Sequence, residues 1–306
     1  MKKIIVLIVL MMICPLILTA EQDELFRYRG NSGNGADFIN SIFNPYGASV
    51  GGILTIFGNT ADAVFWNPAG LTQIENAQLQ FSGAQLSYDR VVSYASFAKP
   101  YGEDNENAFA VTVLGSYVDD IAGYDEYDNY LKKFTYTGGG LILSFAKPMS
   151  MVKFGVNLKV LNEVIDEDYA WGGAMDFGFL ITPPLPVFLG INIKNLPGFI
   201  KWDKEKEVYS IGSGYQIGFG YKSLTDSMKI GLVFSKDQGD EEVSVNIGGE
   251  VSLATVLALR FGFLKGNFGG GLGIDLGFLN IDYAFYNEQF IELNNSAHMI
   301  STRFNF

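Results

Sequence analysis

Alternation constrains this chain more than any other feature. From about Ala77 onward, apolar residues recur at every second position, the signature of strands with two unlike faces. In "VKFGVNLKV", Val152, Phe154, Val156, Leu158 and Val160 share one face, with Lys153, Gly155, Asn157 and Lys159 opposite. "YSIGSGYQIGFGY" sets Tyr209, Ile211, Tyr215, Ile217, Phe219 and Tyr221 against Gly212, Gly214, Gln216, Gly218 and Gly220. Fourteen such segments can be delimited: 77–88, 91–98, 108–117, 134–146, 151–162, 170–182, 187–195, 208–221, 227–236, 242–252, 255–264, 268–276, 279–286 and 297–306. Most run about 9 to 13 residues, close to what a tilted strand needs to cross a bilayer. Strands in soluble sheets are nearer about 5 or 6.

The connections alternate too. Long acidic ones ("VDDIAGYDEYDNYLKK", "EVIDEDYA", "LPGFIKWDKEKEV", "KDQGDE", "NEQFIELNNS") take turns with short ones ("KPMS", "TPPLP", "SLTDS", "LAT", "GF"). Long outer loops and short periplasmic turns are the habit of outer-membrane barrels. "YDR" is tight for an outer loop, and "KPYGEDNEN" is long for a periplasmic turn.

In lipid no water satisfies backbone N–H and C=O groups, so such a sheet has to close on itself. The expected fold is therefore all-β: a closed antiparallel transmembrane β-barrel of about fourteen strands over residues 77–306. A barrel that wide is not filled by its own wall side chains. Residues 21–76 precede the first strand and have no clean period, and they are expected to form an N-terminal hatch inside the lumen. The strand that ends in Phe306 is expected to carry the assembly signal of an exported barrel.

Residues 1–20 read as a signal peptide: basic "MKK", an apolar run, and cleavage after Ala20. Pro15 leaves that run short for a spanning helix. Cys14, the only cysteine, falls inside it, so a processed chain has neither disulfides nor cysteine-ligated metals. Lys and Arg number 21 against 33 Asp and Glu, and processing removes two lysines but no acid. That balance argues against a nucleic-acid partner, which needs basic patches.

The stretch "GASVGGILTIFGNTADAVFWNPAGLTQIENAQLQFS" resembles the amino-terminal hatch of the FadL superfamily of long-chain fatty-acid transporters. It is more similar still to the PorV/PorQ-type barrels, with "FGVNLKVLNE", "GAMDFGFLITP", "INIKNLPG", "LALRFGF" and "GGGLGIDLGFLNIDYAFY" fitting the same group. The resemblance places the hatch motif at Asp62, Ala63, Trp66, Asn67, Pro68, Ala69 and Gly70. It implies that the Asn-Pro-Ala turn anchors the hatch to the wall. The residues alone leave a second reading open, in which the turn merely ends a helical turn and aims Leu71 inward. Ile53, Ile56, Phe57 and Phe65 are candidates to line a ligand passage. Thr55–Phe57 is bulkier than the family pattern, and Asp62 stands alone where two acids are common.

No catalytic constellation emerges. His298, the only histidine, shares its face with Ile300 and Phe304, with no nucleophile and orienting acid as a hydrolase needs. The glycines of "GGGLGID" alternate within a strand and are not a phosphate loop; small inward residues leave lumen space or mark bends. The acidic clusters lack calcium-loop spacing, so no metal and no cofactor is expected. Inward charges, among them Lys153, Lys159, Asp176, Lys194, Arg260, Asp275, Asp282 and Arg303, are expected to pair across the lumen or with the hatch. The functional expectation is uptake of hydrophobic, fatty acid-like molecules across the outer membrane, in contact with its lipid. The alternatives are a partner or shuttle in protein secretion, as PorV/PorQ-type barrels imply, and a structural surface protein.

Overall fold

Backbone pairing closes into a ring. The structure is a computed structural model. It describes residues 35–306 except 88, 205, 254, 291 and 292, and the side chains of 288–295 are not described. The expected signal peptide (1–20), with Cys14, and residues 21–34 of the expected hatch lie outside the described residues.

The strands are β1 (Gln78–Gln85), β2 (Val91–Tyr101), β3 (Asn107–Tyr124), β4 (Tyr130–Met149), β5 (Val152–Ile165), β6 (Asp168–Ile181), β7 (Val187–Lys194), β8 (Gly198–Trp202), β9 (Val208–Ser210), β10 (Gly214–Lys222), β11 (Met228–Asp237), β12 (Ser244–Leu253), β13 (Leu257–Leu264), β14 (Asn267–Asp275), β15 (Leu279–Phe290) and β16 (Leu293–Asn305). Each pairs antiparallel with its neighbour, and β16 returns to β1 through Gln78↔Asn305 to Gln85↔His298. β7 and β8 are two halves of one wall strand: Phe177–Ile181 of β6 pairs with β7, and Ala170–Ala174 with β8. The bulge between them stays on the ladder, as Leu196 N donates to Met175 O (2.7 Å) and Met175 N to Pro197 O (3.0 Å). β9 and β10 divide likewise, which makes a closed wall of fourteen strands.

The polarity of the wall is inverted relative to a soluble protein. Val113, Leu143, Phe145, Val160, Ile247, Phe261 and Ile300 face outward and exposed, whereas Gln80, Thr112, Ser144, Asn157, Asp176 and Asn246 are buried within. An apolar exterior around a polar interior is what a hydrocarbon solvent selects.

Several expected loops are corrected: "EVIDEDYA" and "NEQFIELNNS" are mostly paired strand, β5 with β6 and β15 with β16. "VDDIAGYDEYDNYLKK" is mostly a projecting hairpin, with β3 running to Tyr124 and β4 starting at Tyr130. "LPGFIKWDKEKEV" contains β8. Beyond the apolar band neither face of a hairpin is buried by lipid or lumen, so the alternation that marks a strand in sequence fades there while the pairing continues.

Inside the ring, residues 35–76 form short helices α1 (Pro45–Ser49), α2 (Leu54–Phe57) and α3 (Ala63–Trp66), with 3₁₀ turns at Asp37–Asn40 and Pro68–Gln73. Their main chain lies against inward wall glycines. A Cβ on Gly155 would overlap Ala69 N, on Gly190 Thr55 O, on Gly248 Val50 O, on Gly262 Gly51 N, and on Gly269 Ala48 O. These inward glycines, read from sequence as lumen space or bends, are seats filled by backbone.

Replacing a seat is therefore expected to be costly. Gly248→Val forces the two backbones apart and should destabilise the folded barrel by about 1–3 kcal/mol. Gly83→Val, where an added Cβ meets nothing within 4 Å, should leave it unchanged. Urea unfolding in detergent micelles, followed by heat-shifted gel mobility, measures both.

Candidate functional site

Two Asn-Pro pairs shape the segment inside the barrel. Asn44 caps α1: its Oδ1 accepts from Gly47 N (2.7 Å), and Pro45 supplies the fixed φ of the first helical position. The same Oδ1 accepts from Trp66 Nε1 (3.2 Å), so the cap of the first helix also holds the indole of the third. The Trp66 ring lies over Gly47 and Gly52, where a Cβ would enter it.

Asn67 repeats the device. Its Oδ1 accepts from Ala69 N (3.1 Å) at the start of the Pro68–Gln73 turn. Its Nδ2 donates to Thr55 O (2.8 Å) in α2 and to Phe179 O (3.0 Å) in the wall strand β6. One amide thus joins two helical turns and the wall. Ala69 meets the wall at Gly155, and Gly70 lies against Gly58 O and Ala63 with no room for a Cβ. Leu71 is fully buried.

Asp62 is completely buried. Its carboxylate accepts from Tyr94 Oη, from Gln80 Nε2 (2.9 Å) and from Thr60 Oγ1 (3.3 Å), linking α3 to β1 and β2. Burial raises its pKa above the ordinary carboxylate value, against the lowering effect of the bonds from Tyr94 and Gln80.

Of the expected ligand-lining residues, the structure sets Phe65 apart from the others. Phe65 stacks on Phe43 (centroids 5.5 Å apart) and tilts against Tyr94 (4.8 Å). With Val64, Trp66, Ile39 and Ile42, the Phe43 and Phe65 rings line a cavity of about 350 Å³. Ile53, Ile56 and Phe57 instead press against wall glycines Gly231, Gly218 and Gly220, with Phe57 edge-on to Phe188 (5.4 Å). α2 is a single turn seated against the wall, so these side chains are buried in the seat and not turned to the cavity.

The opposite side of this cavity is charged. Lys159 pairs with Asp176 (2.7 Å), Lys265 with Asp237 (2.8 Å), and Lys194 reaches Asp237 at 4.0 Å. This cavity lies toward the long hairpins. Toward the short turns a second one, about 810 Å³, is polar. It is bordered by an ion-pair chain in which Glu250 accepts from Lys229 (2.8 Å) and Arg260 (2.7 Å), and Arg260 also pairs with Asp282. Arg260 lies 3.8 Å over the Tyr46 ring, and burial, then the Glu250 carboxylate, pushes the Tyr46 hydroxyl up to about 12. The sequence predicts that Lys159, Asp176, Arg260 and Asp282 pair across the lumen or with the hatch. Instead Lys159 pairs with Asp176 of the adjacent strand β6. Arg260 pairs with Glu250 of β12 and Asp282 of β15 and reaches the inner segment at Tyr46. The sequence pattern does not single out Glu250 and Lys229. Nor does it single out Phe43 and Asn44, although "FNPYG" repeats the aromatic-Asn-Pro-x-Gly order of "WNPAG".

His298 faces outward with Ile300, and its Nδ1 lies 2.7 Å from Tyr283 Oη. Among the described residues no cluster of His, Cys, Asp and Glu could hold a metal.

The closed ladder and inverted polarity define a transmembrane β-barrel. No protein-family profile matches the chain, and no curated protein matches it. Solved structures of the same fold include the toluene transporter TodX of P. putida (TM-score 0.58, 10% identity, covering 85% of this chain and 98% of that one). A deltaS2 mutant of the TodX monoaromatic hydrocarbon channel gives 0.61 at 11% identity, covering 86% and 99%. A Pseudomonas aeruginosa FadL homologue gives 0.58 at 11%, covering 86% and 98%. At such identities the likeness is one of fold.

The raised Asp62 pKa carries a sign. A carboxyl that binds its proton more tightly folded than unfolded contributes stability that is full below the ordinary carboxylate value, about 4. That contribution is lost as pH rises through the folded value. Unfolding midpoints of the barrel in detergent should therefore decline over this window. Asp62→Asn should flatten the decline; an identical slope in the variant would contradict the assignment.

Proposed function

We propose that this chain resides in a bacterial outer membrane, long hairpins outward, and admits hydrophobic small molecules past a hatch made by residues 21–76. The observation that carries this reading is the aromatic cup of Phe43, Phe65 and Trp66, which closes the outward-facing cavity and is itself built on the segment inside the barrel. An apolar floor takes up hydrocarbon by removing its surface from water, at about 25 cal/mol per Å². An ion-conducting pore would instead need a polar lining throughout. The lysines opposite the cup suit the carboxylate of a fatty acid-like ligand. The structures of similar fold described as a toluene transporter and a monoaromatic hydrocarbon channel support the hydrophobic class.

In this reading Asp62, Trp66, Asn67, Pro68, Ala69 and Gly70 hold the hatch, and transport requires part of that hold to be released. Asn67 and Asp62 fasten it to β6, β1 and β2, so displacement begins where those bonds break. The secretion-partner reading rests on the sequence motif alone.

Deleting the chromosomal copy should lower uptake of labelled oleate or toluene. The wild-type gene should restore it, and Phe65→Ala, which opens the cup without touching a hatch bond, should restore it only in part. Unchanged uptake in the deletion strain would remove the proposal. Asn67→Ala removes the bonds to Thr55 O and Phe179 O. It should raise amide hydrogen exchange over residues 45–73, equivalent to losing about 1–3 kcal/mol of local protection.

A further inference from the structure

The outer wall is apolar at its short-turn end except on one side. Among the described residues, outward positions there carry side chains such as Phe179, Tyr221, Ile230, Val251, Leu259 and Ile274, and no Lys or Arg apart from two. Those two are Lys99 on β2 and Lys147 on β4. Lys99 is exposed between outward Phe97 and Tyr101, while Ala98 beside it is buried; Lys147 is exposed between outward Phe145 and Met149, beside buried Ala146. Neither ammonium group has an ion-pair partner among the described residues.

The two lysines flank a single strand. Lys99 pairs in register with Phe109 of β3, and Phe109 with Phe145 of β4. Neighbouring strands lie about 5 Å apart, and Lys147 stands two residues beyond Phe145, so the two lysine Cα positions are about 12 Å apart across β3. Between them Phe109 meets Phe97 and Tyr101, each with centroids at 6.1 Å. A cation on a lipid-facing wall is unfavourable at mid-bilayer by about 2–4 kcal/mol and tolerated near the interface, where its stem lies along the hydrocarbon and its head meets phosphate. One layer beyond, the β2–β3 turn carries Glu103, Asp104 and Glu106, all exposed. This is the short-end connection, "KPYGEDNEN", that is long for a periplasmic turn. Cations at the wall edge with carboxylates just outside them match a head group whose phosphate lies nearer the hydrocarbon than its amine.

We propose that this strip of wall binds an ethanolamine phospholipid of the periplasmic leaflet, with its phosphate on Lys99 and Lys147 and its ammonium on the Glu103–Glu106 turn. Tyr101, Phe109 and Phe97 lie along its acyl chains. An anionic glycerol head group would bring no cation to the acidic turn, and a choline head group has no N–H to donate to it. The inference rests on the membrane orientation proposed above, not on the identity of the transported molecule.

Native mass spectrometry of the full-length protein in mild detergent tests it, with phosphatidylethanolamine, phosphatidylcholine and phosphatidylglycerol of matched chains as probes. The first bound phosphatidylethanolamine should be retained about tenfold over either competitor, the scale of one charge-assisted hydrogen bond. Lys99→Gln with Lys147→Gln should abolish that preference. Glu103→Gln, Asp104→Asn and Glu106→Gln together should turn it toward phosphatidylglycerol. All five side chains are exposed, and heat-shifted gel mobility verifies that each variant is a closed barrel. Equal retention of the three lipids, phosphatidylglycerol ahead in the wild type, or a preference that survives loss of both lysines would overturn the inference. Uptake by the same variants separates the two readings: lost lipid preference with normal uptake sinks only this one, and absent uptake with normal lipid preference sinks only transport.

Discussion

The seam between β1 and β16 is the interaction on which the rest depends. Without the pairing from Gln78↔Asn305 to Gln85↔His298, two strands would present unpaired amides and carbonyls to hydrocarbon, at several kcal/mol for each orphan. Once the ladder has satisfied the main chain, side chains are free to divide by solvent. Lipid takes Val113, Ile247 and Ile300, while Gln80, Asn157 and Asn246 turn inward. The inward polar groups are then committed to one another and to the segment within. Asn157 Nδ2 donates both to Val64 O (2.8 Å) and to Asp176 Oδ2 (2.7 Å), and Ser82 Oγ donates to Phe43 O (2.9 Å).

That interior solves a problem of width. Fourteen strands enclose more volume than wall side chains can fill, and large inward residues would have had to bridge it. This chain removes side chains instead. Glycines on β5, β7, β12, β13 and β14 let the main chain of residues 48–69 approach within contact distance of the wall. What remains open is divided into a cavity with an aromatic floor on one side and a polar one on the other.

Much of the wall was legible because lipid and lumen impose opposite demands on alternate residues, and a period of two records them. The fourteen segments therefore fall on wall strands with ends displaced by a few residues. Where those demands stop the record stops, which is why Ile121–Tyr124, Tyr130–Lys133 and β8 read as loop although they are paired. The interior segment was legible only as motif. Asn67 and Asp62 could be singled out, but their partners Phe179 and Tyr94 come from strands far away in sequence. Ile53, Ile56 and Phe57 illustrate the limit: four residues of helix define no reliable face, and only the position of Gly218, Gly220 and Gly231 decides which way they turn. The Asn44-Pro45 cap went unread although it repeats the Asn67-Pro68 order, and its role becomes plain only beside Trp66.

The glycine seats have a consequence for how such a protein diverges. Those at Gly155, Gly190, Gly248, Gly262 and Gly269 grip main-chain atoms, which every residue type possesses, so at these points the fit between stopper and bore is indifferent to the stopper's side chains. Substitutions on the cavity floor, at positions such as Phe43 or Phe65, can retune what the bore accepts while the seal stays intact. Selection for a new cargo therefore acts on a handful of rings, and the burden of keeping the membrane tight stays with residues that have no side chain to lose.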